Sequence, residues 1–488
     1  MYALRHTQQG GETMSNRYEN PLANRYAGRE MQAIFSDNNK FSTWRKLWVA
    51  LAESQRELGL LVEQTQIDEM KAHIHDINYA IAAKFEAETR HDVMAHIKAY
   101  GEQCPTAKPI IHLGATSCYV GDNADVLIQR EALLRVHALL INVIAKLTNF
   151  AKEHKDLPCL AYTHFQPAQP TTVGKRATLW IQDLLFDLEQ LDCVLKTQKL
   201  LGCKGTTGTQ ASFLALFDGD HDKVLKLEQK IAEKMGFSEV YPVSGQTYSR
   251  KIDYYVLSVL SGIAQSAAKF SNDIRLLSNL KELEEPFEAS QVGSSAMAYK
   301  RNPMKSERIA SLARFVITTA TNTAHTASAQ WLERTLDDSA NRRIAIPEAF
   351  LAVDGILALY LNIAGGLTIY PKMMERHLAE ELPFLATENI LMQCVKAGGD
   401  RQVLHEKIRE HSVAAAQKVK QDGAENDLVQ RILDDASFDI TEAELMALLN
   451  AESLTGCAKE QTEVFLRDVD KVLQASKAIL GLDVKITV

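Results

Sequence analysis

Glycine and proline are scarce in this chain of 488 residues. Its 24 glycines and 12 prolines make up about 7% of the residues, where average usage gives about 12%. So few backbone breakers argue against many short strands and favour long helices. Basic residues are not in excess either: 54 Lys and Arg stand against 62 Asp and Glu, a net charge of −8. A general nucleic-acid or membrane-surface binder needs the opposite balance. Neither nucleic acid nor membrane is therefore expected as a partner, and any anion site must be made locally. No run of about 18 apolar residues is evident, so no membrane span is expected. The seven cysteines (Cys104, Cys118, Cys159, Cys193, Cys203, Cys394 and Cys457) show no C-x-x-C and no zinc-ligand spacing with histidine. Reduced thiols in a cytoplasmic protein are the expectation. Residues 1–20 lack the apolar stretch of a secretory signal and read as a polar arm.

What is present is an ordinary globular composition, 46% hydrophobic and 24% charged. Its length allows about three domains or one large core with appendages. The middle of the chain holds long breaker-free runs. Asp122 to Leu157 has no Gly or Pro, and Leu133, Val136, Leu140, Val143, Ile144 and Leu147 recur at helical spacing. Lys175 to Leu201 is a second run, and Gln246 to Glu285, broken only by Gly262, is a third. Met304 to Ile346, bounded by Pro303 and Pro347, reads as a fourth. Helices of such length bury their apolar stripes only by packing side by side. Shorter helical patterns precede and follow. The expected architecture is all-α: a polar arm (1–20), a helical domain (21–116), a long-helix bundle (117–369) and a second helical domain (370–488).

Polar residues of unusual type gather between the runs, at 111–123, 159–176 and 289–308, with a further polar stretch at 333–343. In 289–308, Gly293, Ser294 and Ser295 precede Lys300, Arg301, Lys305 and Arg308, and Asn302-Pro303 suits a helix start. A helix N-terminus beside several cations is a ready anion site; the bland alternative is a solvated basic loop. His164, in Thr163-His164-Phe165-Gln166-Pro167, can exchange a proton near neutral pH, though a lone histidine is more often structural. Arg90-His91-Asp92 with His96 pairs a cation, an imidazole and a carboxylate, and also fits a charged helix face. Lys204–Gln210 is rich in Gly and Thr and lacks the P-loop G-K-[ST]. It can offer backbone N–H groups to an anion or merely join two helices. Glu333, Arg334, Asp337, Asp338, Ser339, Arg342 and Arg343 lie at spacings that also suit internal salt bridges.

Taken together these pieces resemble a known family. G-S-S-x-M-x-x-K-x-N-P at 293–303 is similar to the signature loop of the fumarase/aspartase superfamily. RHDVMAH (90–96), 111–123, 163–176, 204–213, 333–343 and LPFLATENI (382–390) resemble the adenylosuccinate lyases of the animal type. The likeness runs from about Pro21 to the end of the chain. It implies a long central helical bundle flanked by two smaller helical domains, and a homotetramer whose active sites are shared between subunits. It implies β-elimination of fumarate from adenylosuccinate and from the succinyl-carboxamide ribotide SAICAR in purine synthesis. No metal or organic cofactor is expected.

The resemblance also implies roles. His164 matches the general acid for the leaving nitrogen and Ser294 the general base, with Ser295 left open as the alternative. Lys300 and Asn302 match groups that hold the succinyl carboxylates. His91 matches an assisting histidine, and Glu307 a residue that orients His164 or its neighbours. The substrate-binding positions matched are Arg25, Tyr26, Arg90, Asp92, Thr116, Ser117, Gln246, Arg308, Arg334, Ser339 and Arg343. Arginine suits a bidentate grip on carboxylate or phosphate. One position departs from the family pattern: Ala298 stands where proline is usual, which frees φ. The competing readings are a sister lyase acting on an argininosuccinate, malate or aspartate type of substrate, and a helical scaffold without catalysis.

Overall fold

The computed structural model describes residues 18–288, 296–297, 299–484 and 486. An N-terminal group of helices comprises α1 (Arg29–Ile34), α2 (Asp37–Glu57), α3 (Gln64–Ala72), α4 (Tyr79–Thr89) and α5 (Asp92–Gln103). The bundle begins with α6 (Ser117–Glu153), followed by the strands β1 (Pro158–Thr163) and β2 (Gln166–Thr172) and by α7 (Val173–Thr197). After the short α8 (Ala211–Leu216) and α9 (His221–Lys234), it continues with α10 (Lys251–Asn279), β3 (Leu283–Glu284), α11 (Met304–Ser328) and α12 (Asp338–Gly366). Then come β4 (Thr368–Ile369), α13 (Pro371–Leu385), α14 (Thr387–Lys396), α15 (Arg401–Asp422), α16 (Leu428–Asp434), α17 (Glu442–Leu448) and α18 (Ala458–Ala475).

The expected all-α bundle is present, and the periodic positions explain it. Leu133, Val136, Leu140, Val143, Ile144 and Leu147 of α6 are all fully buried, in one cluster with Ile181 and Leu184 of α7, Leu260 and Ile263 of α10, Ile309 of α11 and Ile356 of α12. Two helices, α6 and α12, are apolar enough over 18 residues to match a membrane span in length and hydropathy; 83% of that window in α12 is buried inside the bundle. A second core unites α2, α5 and the start of α6 with Cys203, Phe213, Leu227 and Ile231. A third is built by α14 to α17. Helix α18 returns to the bundle, where Leu466, Val469 and Leu473 join the first core.

Helix directions decide where the functional loops can sit. Arg250, just before α10, bonds Asp122 in α6 and Asp338 in α12, while Arg135 of α6 bonds Asp354 of α12. Helices α6 and α12 therefore run parallel. Helix α11 runs against α12, since Lys305 bonds Asn362 and Asn341 bonds Asn322. With 29 residues at about 1.5 Å each, α10 gives the bundle a length of about 43 Å.

Two expectations from periodicity need correction. The run 304–346 is not one helix: the chain leaves α11 after Ser328 and resumes at Asp338. No Gly or Pro marks the break. Leu332 turns into the left-handed region at φ 45, and the carbonyl of Glu333 is taken by the Gln246 N–H at 3.0 Å. A tertiary bond thus replaces the helical one. Conversely Pro347 does not end a helix; it lies inside α12 and costs it the bond to the carbonyl of Arg343. The 159–176 stretch, expected as a loop, is mostly an antiparallel hairpin, with Pro158 opposite Thr172, Thr163 opposite Gln166 and a bulge between Leu160 and Tyr162. Thr172 then caps α7 by accepting the Lys175 N–H at 3.1 Å.

Close backbone approach fixes the hairpin end of α7 against α6. A Cβ on Gly174 would lie 2.4 Å from the carbonyl oxygen of Ala151 and 2.6 Å from Cα of Lys155. Neither neighbour is a side-chain tip that can swing away. Gly174→Ala is expected to destabilise the fold by roughly 1–3 kcal/mol through overpacking. The effect is read as a lower urea midpoint with an unchanged denaturant slope.

Candidate active site

Most of the matched residues that the structure describes divide between the two ends of the bundle. At one end lie Arg90, His91, Asp92, Thr116, Ser117, Gln246, Arg334, Ser339 and Arg343. At the other lie His164, Lys300, Asn302, Glu307 and Arg308. Arg343 and Asn362, both on α12, are 19 positions apart, about 28 Å along the axis, and the start of α11 is tied to Asn362. Arg25 and Tyr26 sit between the ends: the Tyr26 carbonyl touches Gly355, and Asp354 accepts the Gly28 N–H at 2.6 Å. Ser294, Ser295 and Ala298 lie outside the described residues.

The first end is built from backbone exceptions and charge. Arg90 closes α4 in the left-handed region at φ 53, a conformation costly for a residue with a Cβ. It turns the chain so that His91 caps α5, its Nδ1 accepting the Met94 N–H at 3.3 Å. Asp92 accepts from Arg343 at 2.8 Å. Burial works against ionising Asp92, but Arg343 and the Val93 N–H outweigh it and hold the carboxyl below the usual range. Thr116 is the N-cap residue of α6 and Ser117 its first residue. The Cys118 thiol donates to Oε1 of Gln246 at 3.4 Å, beside the backbone bond from Gln246 to Glu333. The 90–92, 116–118, 246 and 333–343 segments thus form one wall.

A buried ionic network holds that wall. Arg250 donates to both oxygens of Asp122 at 2.8 and 3.2 Å and to Oδ2 of Asp338 at 2.6 Å. Oδ1 of Asp338 takes Arg334 at 2.8 Å. Arg342 donates to Asp253 at 2.7 Å and to the Tyr248 hydroxyl at 2.6 Å, and its guanidinium lies 2.9 Å from Asp125. Burial opposes ionisation of Asp253 and Asp338, yet Arg342 and Arg250 keep both below the ordinary carboxylate range. Asp122 is pushed up instead, since burial prevails there. Sequence reasoning allowed internal salt bridges within 333–343, and the Arg334–Asp338 pair, four residues apart, is one. The same reasoning missed the partners on other helices, for which the only signal was several charges amid apolar runs.

Several sequence readings resolve as structural. Lys204 is buried against Glu228 at 2.9 Å, and Gly208 abuts the Ser244 carbonyl, so 204–210 joins packed segments. At the N-terminus of α11 the anion is the protein's own. Glu285 accepts the Lys305 and Ser306 N–H groups at 2.8 and 2.9 Å, and Lys305 Nζ binds Pro286 and Asn362. His96 is buried and stacked on Phe41, ring centroids 3.8 Å apart. Among the described residues no group of His, Cys, Asp or Glu could hold a metal.

At the second end, His164 and Phe165 form the hairpin turn, both with positive φ (54 and 57) and both exposed. Such a turn needs left-handed conformations at both central residues, normally Asn or Gly. Holding an imidazole and a phenyl ring there is the strain expected of a functional position. Lys300 lies on the exposed stretch before α11, and Glu307 is exposed in its first turn. Among the described residues no hydrogen bond joins Glu307 to His164 within the chain, so the expected orienting contact is not made there.

One residue near His91 escaped the sequence reading. His112, at φ 69, accepts the Trp48 indole N–H on Nδ1 at 2.9 Å. Burial, with His91 adding to it, lowers its pKa to about 4, and burial does the same to His96.

A family model described as lyase matches residues 29–318, and one described as adenylosuccinate lyase C-terminus matches residues 383–465. Adenylosuccinate lyase of Saccharomyces cerevisiae is 54% identical over 468 residues, covering 95% of this chain and 97% of its own. That of Schistosoma mansoni is 48% identical, covering 96% and 99%. Among solved structures, a 3-carboxy-cis,cis-muconate lactonizing enzyme from Pseudomonas putida shares the fold with a TM-score of 0.80 at 22% identity, over 93% of this chain and 99% of that one.

The two lowered histidines set an acid sensitivity. Between about pH 6.5 and pH 4 the unfolded chain binds protons at His96 and His112 that the folded chain refuses. Stability is therefore intact above 6.5 and falls as pH drops toward about 4. Each histidine contributes a slope of up to about 1.4 kcal/mol per pH unit. Urea midpoints between pH 7 and 5 should fall accordingly. His112→Gln, which keeps an acceptor for Trp48, should flatten the slope.

Proposed function

The chain belongs to the adenylosuccinate lyase family, and we propose that it cleaves adenylosuccinate to AMP and fumarate, and SAICAR to the free carboxamide ribotide, by β-elimination. The observation that carries the reading is 54% identity over nearly the whole chain, joined to two sets of matching residues at opposite ends of one bundle. A proton beside an ionised carboxylate is very weakly acidic, so the dianionic intermediate needs fixed cations and donors. In this reading Lys300 and Asn302 supply them at the succinyl end. Ser294 takes the proton, His164 protonates the leaving nitrogen and His91 assists. Arg25, Tyr26, Arg90, Asp92, Thr116, Ser117, Gln246, Arg308, Arg334, Ser339 and Arg343 hold the nucleotide and carboxylates.

One chain cannot bring the two sets together across the bundle. We therefore infer a homotetramer with closed dihedral symmetry, in which the hairpin end of one chain meets the wall of another and three chains contribute to each site. Exposed apolar positions on the bundle helices support it: Leu179 and Phe186 on α7, Tyr255 and Leu276 on α10, and Phe315 on α11. A cytoplasmic location accords with seven free thiols.

The assay follows the ultraviolet absorbance of adenylosuccinate. His164→Ala should lower kcat at least about 100-fold, the scale of lost general acid catalysis. Arg343→Ala, altered at the other end, should also be nearly inactive. If the two variants are dissociated and reassembled together in equal amounts, about a quarter of all sites should receive an intact residue from each chain and regain activity. Absence of recovery would mean that each chain completes its own site.

A further inference from the structure

Arg334 is a cation of the wall that no helix backbone holds. It lies in the irregular stretch between α11 and α12, and its side chain is partly exposed. A free arginine side chain has many rotamers to lose on being held in one orientation. Here one end of the guanidinium is occupied: NH1 donates to the Thr335 carbonyl and, at 2.8 Å, to Oδ1 of Asp338. Among the described residues, Nε and NH2 make no hydrogen bond. Those two atoms form the side edge that grips a carboxylate or phosphate in parallel bonds.

Asp338 is suited to hold that edge still. It is 1% exposed, and its other oxygen takes Nε of Arg250 at 2.6 Å. Arg250 in turn has both outer nitrogens on Asp122. The chain Asp122–Arg250–Asp338–Arg334 alternates in sign and balances to zero, with Arg334 as its only partly exposed member. We propose that Asp338 is a positioning residue, which spends NH1 of Arg334 so that the Nε–NH2 edge is presented to an anionic group of the substrate. The inference rests on Arg334 being a substrate-binding cation. Asp338 itself touches no substrate in this scheme.

The test is a double-mutant cycle read in KM and kcat with adenylosuccinate, with thermal midpoints recorded for each variant. Arg334→Ala should raise KM. Asp338→Asn should raise KM about tenfold with kcat within about twofold, and should add less than about twofold in the Arg334→Ala background. An equal effect of Asp338→Asn in both backgrounds would overturn the proposal, since the residue would then act elsewhere. An unchanged KM in Arg334→Ala alone would instead overturn the underlying reading of Arg334, without any change at Asp338. If Asp338→Asn does not fold, Arg334→Lys decides. An ammonium keeps the charge but cannot present a planar edge, so its KM should match that of Arg334→Ala within about twofold. A KM like that of the parent would show that charge alone suffices and that no orientation is being held.

Discussion

Arg250 is the residue on which one end of this protein depends. It is 3% exposed, and its guanidinium joins α6 to α12 through Asp122 and Asp338. Removing such a charge from water costs several kcal/mol, which attraction recovers only when its nitrogens find well-placed partners. All of its nitrogens do. Arg342 repeats the device one turn further along α12, with Asp253, Asp125 and Tyr248. Leaving any partner out would strand a buried charge, so the helices are held in one register. That register places Arg334, Ser339 and Arg343 opposite 90–92 and 116–118.

Bundle length then governs the chemistry. Rigid helices about 40 Å long keep their two ends apart, and the matched residues are divided between those ends. The hairpin bearing His164 springs from the end where α6 stops and α7 starts, whereas the cationic wall lies where α6 and α12 begin. Under the function proposed above, an active site forms where such ends of different chains meet. The exposed apolar residues on α7, α10 and α11 and the strained turn at His164 both accord with a contact lying outside the single chain.

The residues show how far local pattern reaches. Leu133, Val136 and Leu140 announce α6 because a helix buries every third or fourth side chain, and they are indeed at its core. The break between Ser328 and Asp338 announces nothing, because the Gln246 to Glu333 bond that interrupts the helix joins residues far apart in sequence. Lys305 reads as an anion-binding cation, yet Glu285, twenty residues earlier, occupies the helix N-terminus and accepts its N–H. His112 escaped because nothing near it in sequence reveals Trp48.

By itself, the sequence determined the helical class and the family, and it picked out the groups proposed to react, since these depend on periodicity and on motif order along the chain. Tertiary structure decided which charges are spent on one another, where helices stop, and which end of the bundle each group occupies. Those outcomes arise from contacts between distant segments, and no spacing along the chain encodes the direction in which a packed helix runs.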